Sequence, residues 1–199
     1  MAYSQGAEET EILQALGAPP KVGHFLDIGA YNGTTFSNTY RLVELGWSGV
    51  CVEPSPSVFP ALLKLHEANP RIAVVNSALA PRAGFIEFWD AGGDALSTSD
   101  EAHRLRWINK AQVPFHKLAT YAITWEMLFN KFSHDFDFIS VDVEGTNYDL
   151  FMTLPLQMLA KTKVIIVEHD GRLIDMLDYA KNFGYHYQWH NYENLIMMR

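Results

Sequence analysis

The stretch that decides the fold reads Phe25-Leu26-Asp27-Ile28-Gly29-Ala30-Tyr31-Asn32-Gly33. Residues 24–28 read as a strand, and the residues after Gly33 take helical spacing. The glycines therefore mark a strand-to-helix turn, where a positive φ lets the backbone bend sharply and come close to a ligand. In open α/β sheets ligands bind outside the C-terminal strand ends, which is where this turn falls. The spacing is Gly-x-x-x-Gly, not the Gly-x-Gly-x-x-Gly of dinucleotide sites. Asp27, two residues before the first glycine, would repel a pyrophosphate but accept hydrogen bonds from an ammonium or a hydroxyl.

Outward from that turn, strand-like and helix-like segments alternate. Thr34 or Thr35 is positioned to cap a helix whose apolar positions are Phe36, Tyr40, Val43 and Trp47, with Gly46 at its end. Residues 49–53 read as a second strand, Val58, Leu62 and Leu65 as a helix stopped near Asn69-Pro70, and residues 72–75 as a third strand. Residues 85–89 suggest an extra edge strand, 125–132 a helix, 136–143 a fourth strand and 164–168 a fifth. Leu173, Leu177 and Ala180 define another helix, and residues 185–189 and 195–198 read as two strands joined by a polar turn at 191–194. The alternation predicts an α/β fold, a mostly parallel sheet with helices on both faces, closed by an antiparallel C-terminal hairpin strand. Residues 1–20 form a separate helical extension built on Ile12, Leu13 and Leu16 and ended by Ala18-Pro19-Pro20. The domain proper runs from 21 to 199.

Glu53 ends the second strand, 20 residues beyond Gly33. An acidic side chain at that place takes both hydroxyls of an adenosine ribose in dinucleotide sites. Asn76, Ser77 and Ala78, after the third strand, fall where an adenine would lie. A ligand with a ribose, a base and a cationic amino acid part, in place of a diphosphate, meets these requirements. S-adenosylmethionine is such a molecule.

Asp142 and Glu144, in Asp142-Val143-Glu144-Gly145, reach the same crevice. If the fourth strand persists that far, both carboxylates share one face. Glu168-His169-Asp170 follows the fifth strand. Asp142 or His169 is the candidate general base. Asp142, Glu144, Glu168 and His169 supply oxygen and nitrogen donors, but their spacing matches no metal motif, so no metal is expected.

The least regular segment is 85–117, with Gly92-Gly93 and a basic cluster of His103, Arg104, Arg106, Lys110 and Lys117. It reads either as a glycine-hinged lid carrying acceptor contacts, its cluster the place for an anionic sugar or phosphate against a net charge of −8, or as a surface loop and a solvated helix face. The rest of the composition sets bounds. With 199 residues, 48% apolar and 19% charged, one globular domain is expected. Fifteen basic against 23 acidic residues disfavour a broad phosphate-binding face, so no nucleic-acid partner is expected. The single Cys51 excludes an internal disulfide framework. No apolar run approaches ~20 residues, so no membrane partner is expected. Glu8, Glu9 and Glu11 precede the first basic residue, Lys21, unlike a signal peptide, and a cytoplasmic location is expected.

Four motifs in order carry a family resemblance: Asp27-Ile-Gly-Ala-Tyr-Asn-Gly33, Val52-Glu53-Pro54-Ser55-Pro56, Val141-Asp142-Val143-Glu144-Gly145 and Ile166-Val167-Glu168-His169. Together, from about Lys21 onward, they resemble the FkbM-type S-adenosylmethionine-dependent methyltransferases. The resemblance implies a Rossmann-like seven-stranded sheet. It implies that Asp27, Gly29 and Gly33, with Ala30 and Tyr31 between them, hold the methionine end of the cofactor. Glu53, with Pro54 and Ser55, would hold the ribose, and Asn76, Ser77 and Ala78 the adenine. Asp142 would stand near the sulfonium and the acceptor. An O-methyltransferase acting on a hydroxyl of a sugar, glycan or small metabolite follows; independently of the resemblance, Glu144 at the crevice mouth and Arg104 and Arg106 in the basic cluster are the candidate acceptor contacts. Tyr31 stands where the family usually has Asn, Asn147 where it usually has Glu, and Ser140 where many members have Lys. These departures admit a catalytically inactive S-adenosylmethionine-binding module. A nicotinamide oxidoreductase is disfavoured by Asp27 and the missing dinucleotide fingerprint.

Overall fold

The computed structural model describes residues 2–18 and 20–199, so Pro19 of the expected Ala18-Pro19-Pro20 stop lies outside the described residues. A seven-stranded sheet is built from β1 (His24–Ile28), β2 (Ser48–Val52), β3 (Ile72–Val75), β7 (Phe138–Val141), β8 (Val164–Glu168), β9 (His186–His190) and β10 (Asn194–Met198). Its order is β3-β2-β1-β7-β8-β10-β9. The pairs from β3 through β8 are parallel, and β10 runs antiparallel to both β8 and β9, as the hairpin spacing predicts. Chain order reverses at β1, which lies between β2 and β7. That reversal opens a crevice at the C-terminal ends of β1 and β7.

Strand alternation divides the core into two layers. Leu26 pairs in register with Val50 and Ile139, and Ile139 with Ile165, a row that points to one face. On that face these residues meet α5 (Trp125–Phe132), α6 (Asn147–Met152) and α7 (Leu173–Lys181), through Leu128, Phe151 and Met176. Phe25, Cys51, Phe138 and Ile166 point to the other face. There they meet α1 (Glu8–Ala15), α2 (Tyr40–Glu44) and α3 (Phe59–His66), through Ile12, Leu42 and Leu62. The near-unbroken apolar strands are what burial on both faces requires. Ile12 is buried on the sheet, so the N-terminal helix packs on the body.

Three expectations need correction. The helix expected from Thr34 or Thr35 to Trp47 is only the five residues of α2. Asn32 Oδ1 accepts from the backbone N–H groups of both Thr34 and Thr35, closing a turn, and Phe36 sits at φ +58°. A left-handed residue cannot continue a right-handed helix. The strand around residues 85–89 is not an edge of the main sheet. It is β5 (Gly84–Asp90) of a separate three-stranded sheet, ordered β4-β6-β5, with β4 (Ala78–Leu79) and β6 (His116–Ile123). The segment 85–117 is accordingly mostly regular: β5, then α4 (Glu101–Ala111), capped by the Asp100 side chain, then the start of β6. Residues 91–100 and 112–115 are loop. Finally, β7 stops at Val141 and Glu144 takes φ +57°, so strand alternation does not place Asp142 and Glu144 on one face.

Candidate functional site

Two buried carboxylates, Asp27 and Glu53, and a half-buried one, Asp142, meet where β1, β2 and β7 end. Asp27, 4% exposed, accepts from Thr39 Oγ1 at 2.6 Å. Burial raises it to about 6, and the neighbouring Asp142 charge adds to the rise. Glu53, 6% exposed, binds the backbone of two loops at once: Oε2 accepts from Tyr31 N at 2.9 Å and Oε1 from Ser55 N at 2.7 Å. Burial lifts it to about 7, against the pull of those two N–H groups. Each carboxylate oxygen keeps a further lone pair. Asp142 N donates to Ile28 O at 2.8 Å, fixing its backbone beside β1. Its Oδ1 is buried with no hydrogen-bond partner.

All three line one cavity of about 950 Å³, counting its open mouth. Val58, Leu79 and Phe88 give it an apolar wall beside Ala78, and Ser37, Asn38 and Ser140 a polar one. Residues 91–99 cross its rim and contribute Asp94, Ala95, Ser97 and Ser99. That flap is tied down twice. Tyr31 Oη donates to Gly93 O at 2.7 Å, and Thr98 Oγ1 to Glu144 O at 2.6 Å. Below it, Asp90 accepts from the hydroxyls of Ser55 and Ser57 and from Gly92 N, joining the loop after β2 to the base of the flap.

A second, wider cleft of about 2570 Å³ adjoins the first, and Phe36, Asn38, Asp142 and Glu144 line both. Its walls are α4, with His103, Arg106, Trp107 and Lys110, and the loops after β8 and β9. Glu168 lies there. Burial and the Asp142 charge raise it to about 9, so at neutral pH it holds a proton. Asn147 ties it to the loop after β7: its Oδ1 accepts from Val143 N and its Nδ2 donates to Glu168 Oε2, each at 2.6 Å. Among the described residues, no three His, Cys, Asp or Glu side chains gather as a metal site.

Of the cofactor residues expected from sequence, Asp27, Gly29, Ala30, Tyr31, Glu53, Pro54, Ser55, Ser77, Ala78 and Asp142 line the first cavity. Gly33 and Asn76 do not. A Cβ on Gly33, at φ +81°, would meet Leu65 and Leu62 of α3, so this glycine serves helix packing. Asn76 Nδ2 donates to Glu53 O at 2.8 Å and braces the strand end. Of the acceptor residues, Glu144 lies at the seam between the cavities and Arg106 in the wide cleft. Arg104 pairs with Glu101 and covers the Trp89 ring. His169 lines only the wide cleft. Its Nδ1 accepts from Gly171 N at 3.0 Å, which puts its proton on Nε2 and leaves no free lone pair.

Sequence reading missed Thr39, Asp90 and the role of Asn147, and placed His103 only as a member of the basic cluster. Thr39 sits just before Tyr40, the first residue of α2, a place that favours a hydroxyl, but the overlong helix hid it. Asp90 and His103 come from the inserted sheet and α4, and nothing local announces where they fold.

The family model described as "Methyltransferase FkbM domain" matches residues 27–187. No curated protein matches the chain in sequence. Among solved structures, the chain is similar to precorrin-6y C5,15-methyltransferase from Geobacter metallireducens, with TM-score 0.51 and 11% identity over 96% of this chain and 87% of that one. It is also similar to a TehB-like SAM-dependent methyltransferase from Corynebacterium glutamicum, with TM-score 0.48 and 13% identity over 98% and 89%. The first likeness shows a shared fold.

Proposed function

The chain belongs to the FkbM methyltransferase family, and from that premise we propose that it O-methylates a hydroxyl group on a sugar, glycan or small-metabolite acceptor. Its cofactor is S-adenosylmethionine, which when bound supplies an electrophilic methyl group on a sulfonium. The residues present fit that group. A cationic amino acid and sulfonium offset buried carboxylates that otherwise lie above their ordinary range, and the unpaired Asp142 Oδ1 is left an acceptor without a donor. In this reading Glu53 takes the ribose hydroxyls with the lone pairs that Tyr31 and Ser55 leave free. Ala78, Val58, Leu79 and Phe88 enclose the adenine, and Asp27 with the Gly29–Tyr31 backbone faces the methionine end.

The chain's own contribution is positioning and one proton. Displacement at a methyl carbon needs the acceptor oxygen held in line, which two adjoining cavities provide by keeping the two reactants on either side of one seam. Asp142 Oδ1 takes the hydroxyl proton as that oxygen loses it. Asn147 steadies the backbone next to Asp142, accepting from Val143 N and donating to Glu168. His169, the other candidate base, offers no lone pair, so the role goes to Asp142. The observation that carries this reading is that buried, unpartnered oxygen at the junction of the crevice and the wide cleft.

The test is label transfer from methyl-labelled S-adenosylmethionine to a panel of sugars and hydroxylated metabolites, with wild type and Asp142→Asn. Labelled ether products that Asp142→Asn fails to form support the proposal. Label on nitrogen or carbon, or undiminished turnover in the variant, contradicts it.

A further inference from the structure

The wall of the wide cleft made by α4 is basic, in a chain of net charge −8. Arg106 and Lys110 stand one helical turn apart on it, and neither has a carboxylate partner among the described residues. The other two charged residues of α4, Glu101 and Arg104, pair with each other. Lys110 Nζ rests 4.4 Å above the Trp107 ring. Arg106 spends one donor, Nη2 to His103 Nδ1 at 2.9 Å, and keeps the rest of its fork.

That bond also sets the histidine. Arginine only donates, so His103 Nδ1 accepts and its proton lies on Nε2. His103 is 3% exposed, and this buried Nε2–H has no aligned acceptor. Glu144 Oε2, 3.2 Å away, is off line. A buried donor left unsatisfied costs free energy unless a ligand meets it. Glu144 and Glu168 also line the cleft and lie well above the usual carboxylate range through burial, so these two repel an anion less; Glu8, Asp100, Asp142, Asp170 and Glu193 line it as well, so the basic patch is local to α4.

We propose that Arg106 and Lys110, with the His103 Nε2–H between them and the seam, form a subsite for an anionic group, phosphate or carboxylate, carried by the methyl acceptor. This rests on the reading of the wide cleft as the acceptor side. A guanidinium fork and an ammonium one turn apart suit a tetrahedral or planar oxyanion, and the opposite carboxyl groups suit the hydroxyls of the same molecule. The acceptor class is then an acidic polyol, such as a sugar phosphate or a uronic acid.

The test is a titration of ¹⁵N-labelled protein, saturated with S-adenosylhomocysteine, with inorganic phosphate, glucuronate and glucose in turn, followed by NMR. The expected result is shifts centred on His103, Arg106, Lys110 and the Trp107 indole N–H for an anion but not for glucose. In Arg106→Gln/Lys110→Gln that binding should weaken about tenfold or more, while Arg82→Gln, an exposed control outside both cavities, leaves it unchanged. A response to phosphate alone assigns a phosphorylated acceptor, and a response to glucuronate a carboxylated one. Shifts scattered over the surface, equal shifts with glucose, or unweakened binding in the double variant overturn the proposal. Binding of S-adenosylhomocysteine is read in the same spectra, so its absence would sink the cofactor reading separately.

Discussion

A side-chain carbon on Gly29 would stand 1.6 Å from the carbonyl oxygen of Asp142. The first glycine of the loop is therefore required by the meeting of β1 and β7, and only through that by the ligand. Gly29→Ala must both adopt φ +83° and push the two strand ends apart. It is expected to cost roughly 2–4 kcal/mol and to abolish S-adenosylhomocysteine binding. Denaturant melts and calorimetry on one preparation check both. Gly33→Ala, whose neighbours are the ends of leucine side chains, should cost less.

Glu53→Gln replaces one acceptor oxygen by an amide that faces a backbone N–H, of either Tyr31 or Ser55. The two loops it joins should loosen, and affinity for S-adenosylhomocysteine should fall about tenfold to a hundredfold. Unchanged affinity would remove Glu53 from the cofactor site.

The first strand, its glycine loop and the two carboxylates at the strand ends were legible because each is written within a few neighbouring residues. The inserted sheet was not. β4 is two residues long and β6 alternates weakly, and their pairing joins residues 44 apart, such as Ala78 and Ala122. The helix after the loop was read too long because Phe36 and Trp47 fit helical spacing, while the Asn32 side chain had already closed a turn against it. Asn147 looked like a departure from the family pattern. In place it is a fully buried bridge between Val143 and Glu168.

Alkaline pH should destabilise the ligand-free protein. Glu53, at about 7, and Glu168, at about 9, have folded values above their ordinary ones. The stability they contribute is fully present below about 4.5 and is lost as pH rises through the folded values. Melting temperature should therefore fall from about pH 4.5 to about 9, with Glu168 carrying the part above 7. Glu168→Gln, which keeps an acceptor for Asn147, should flatten that upper part. A melting temperature that rises across this range would contradict the burial described.

Tyr31→Phe removes the hydroxyl that holds Gly93. The cost to stability should be about 1 kcal/mol. The clearer effect is expected in faster dissociation of S-adenosylhomocysteine, because the flap loses one of its two ties. Stopped-flow displacement measures it.

Asp142→Asn retains the shape and the unpaired carbonyl oxygen but not the base. Turnover should fall about 10²–10⁴-fold, well beyond the smaller loss of cofactor affinity expected from removing one charge of the crevice. In wild type the rate should rise with pH through about 6, where Asp142 loses its proton. A flat profile across that range would assign the proton to another group.

The most direct test of the central claim, that Asp27, Glu53 and Asp142 line a crevice for S-adenosylmethionine, is calorimetric titration with S-adenosylmethionine, S-adenosylhomocysteine and NAD. The account predicts one molecule of either sulfur ligand per chain, weakened by Glu53→Gln, and no binding of NAD. Binding of NAD with neither sulfur ligand taken up would contradict it.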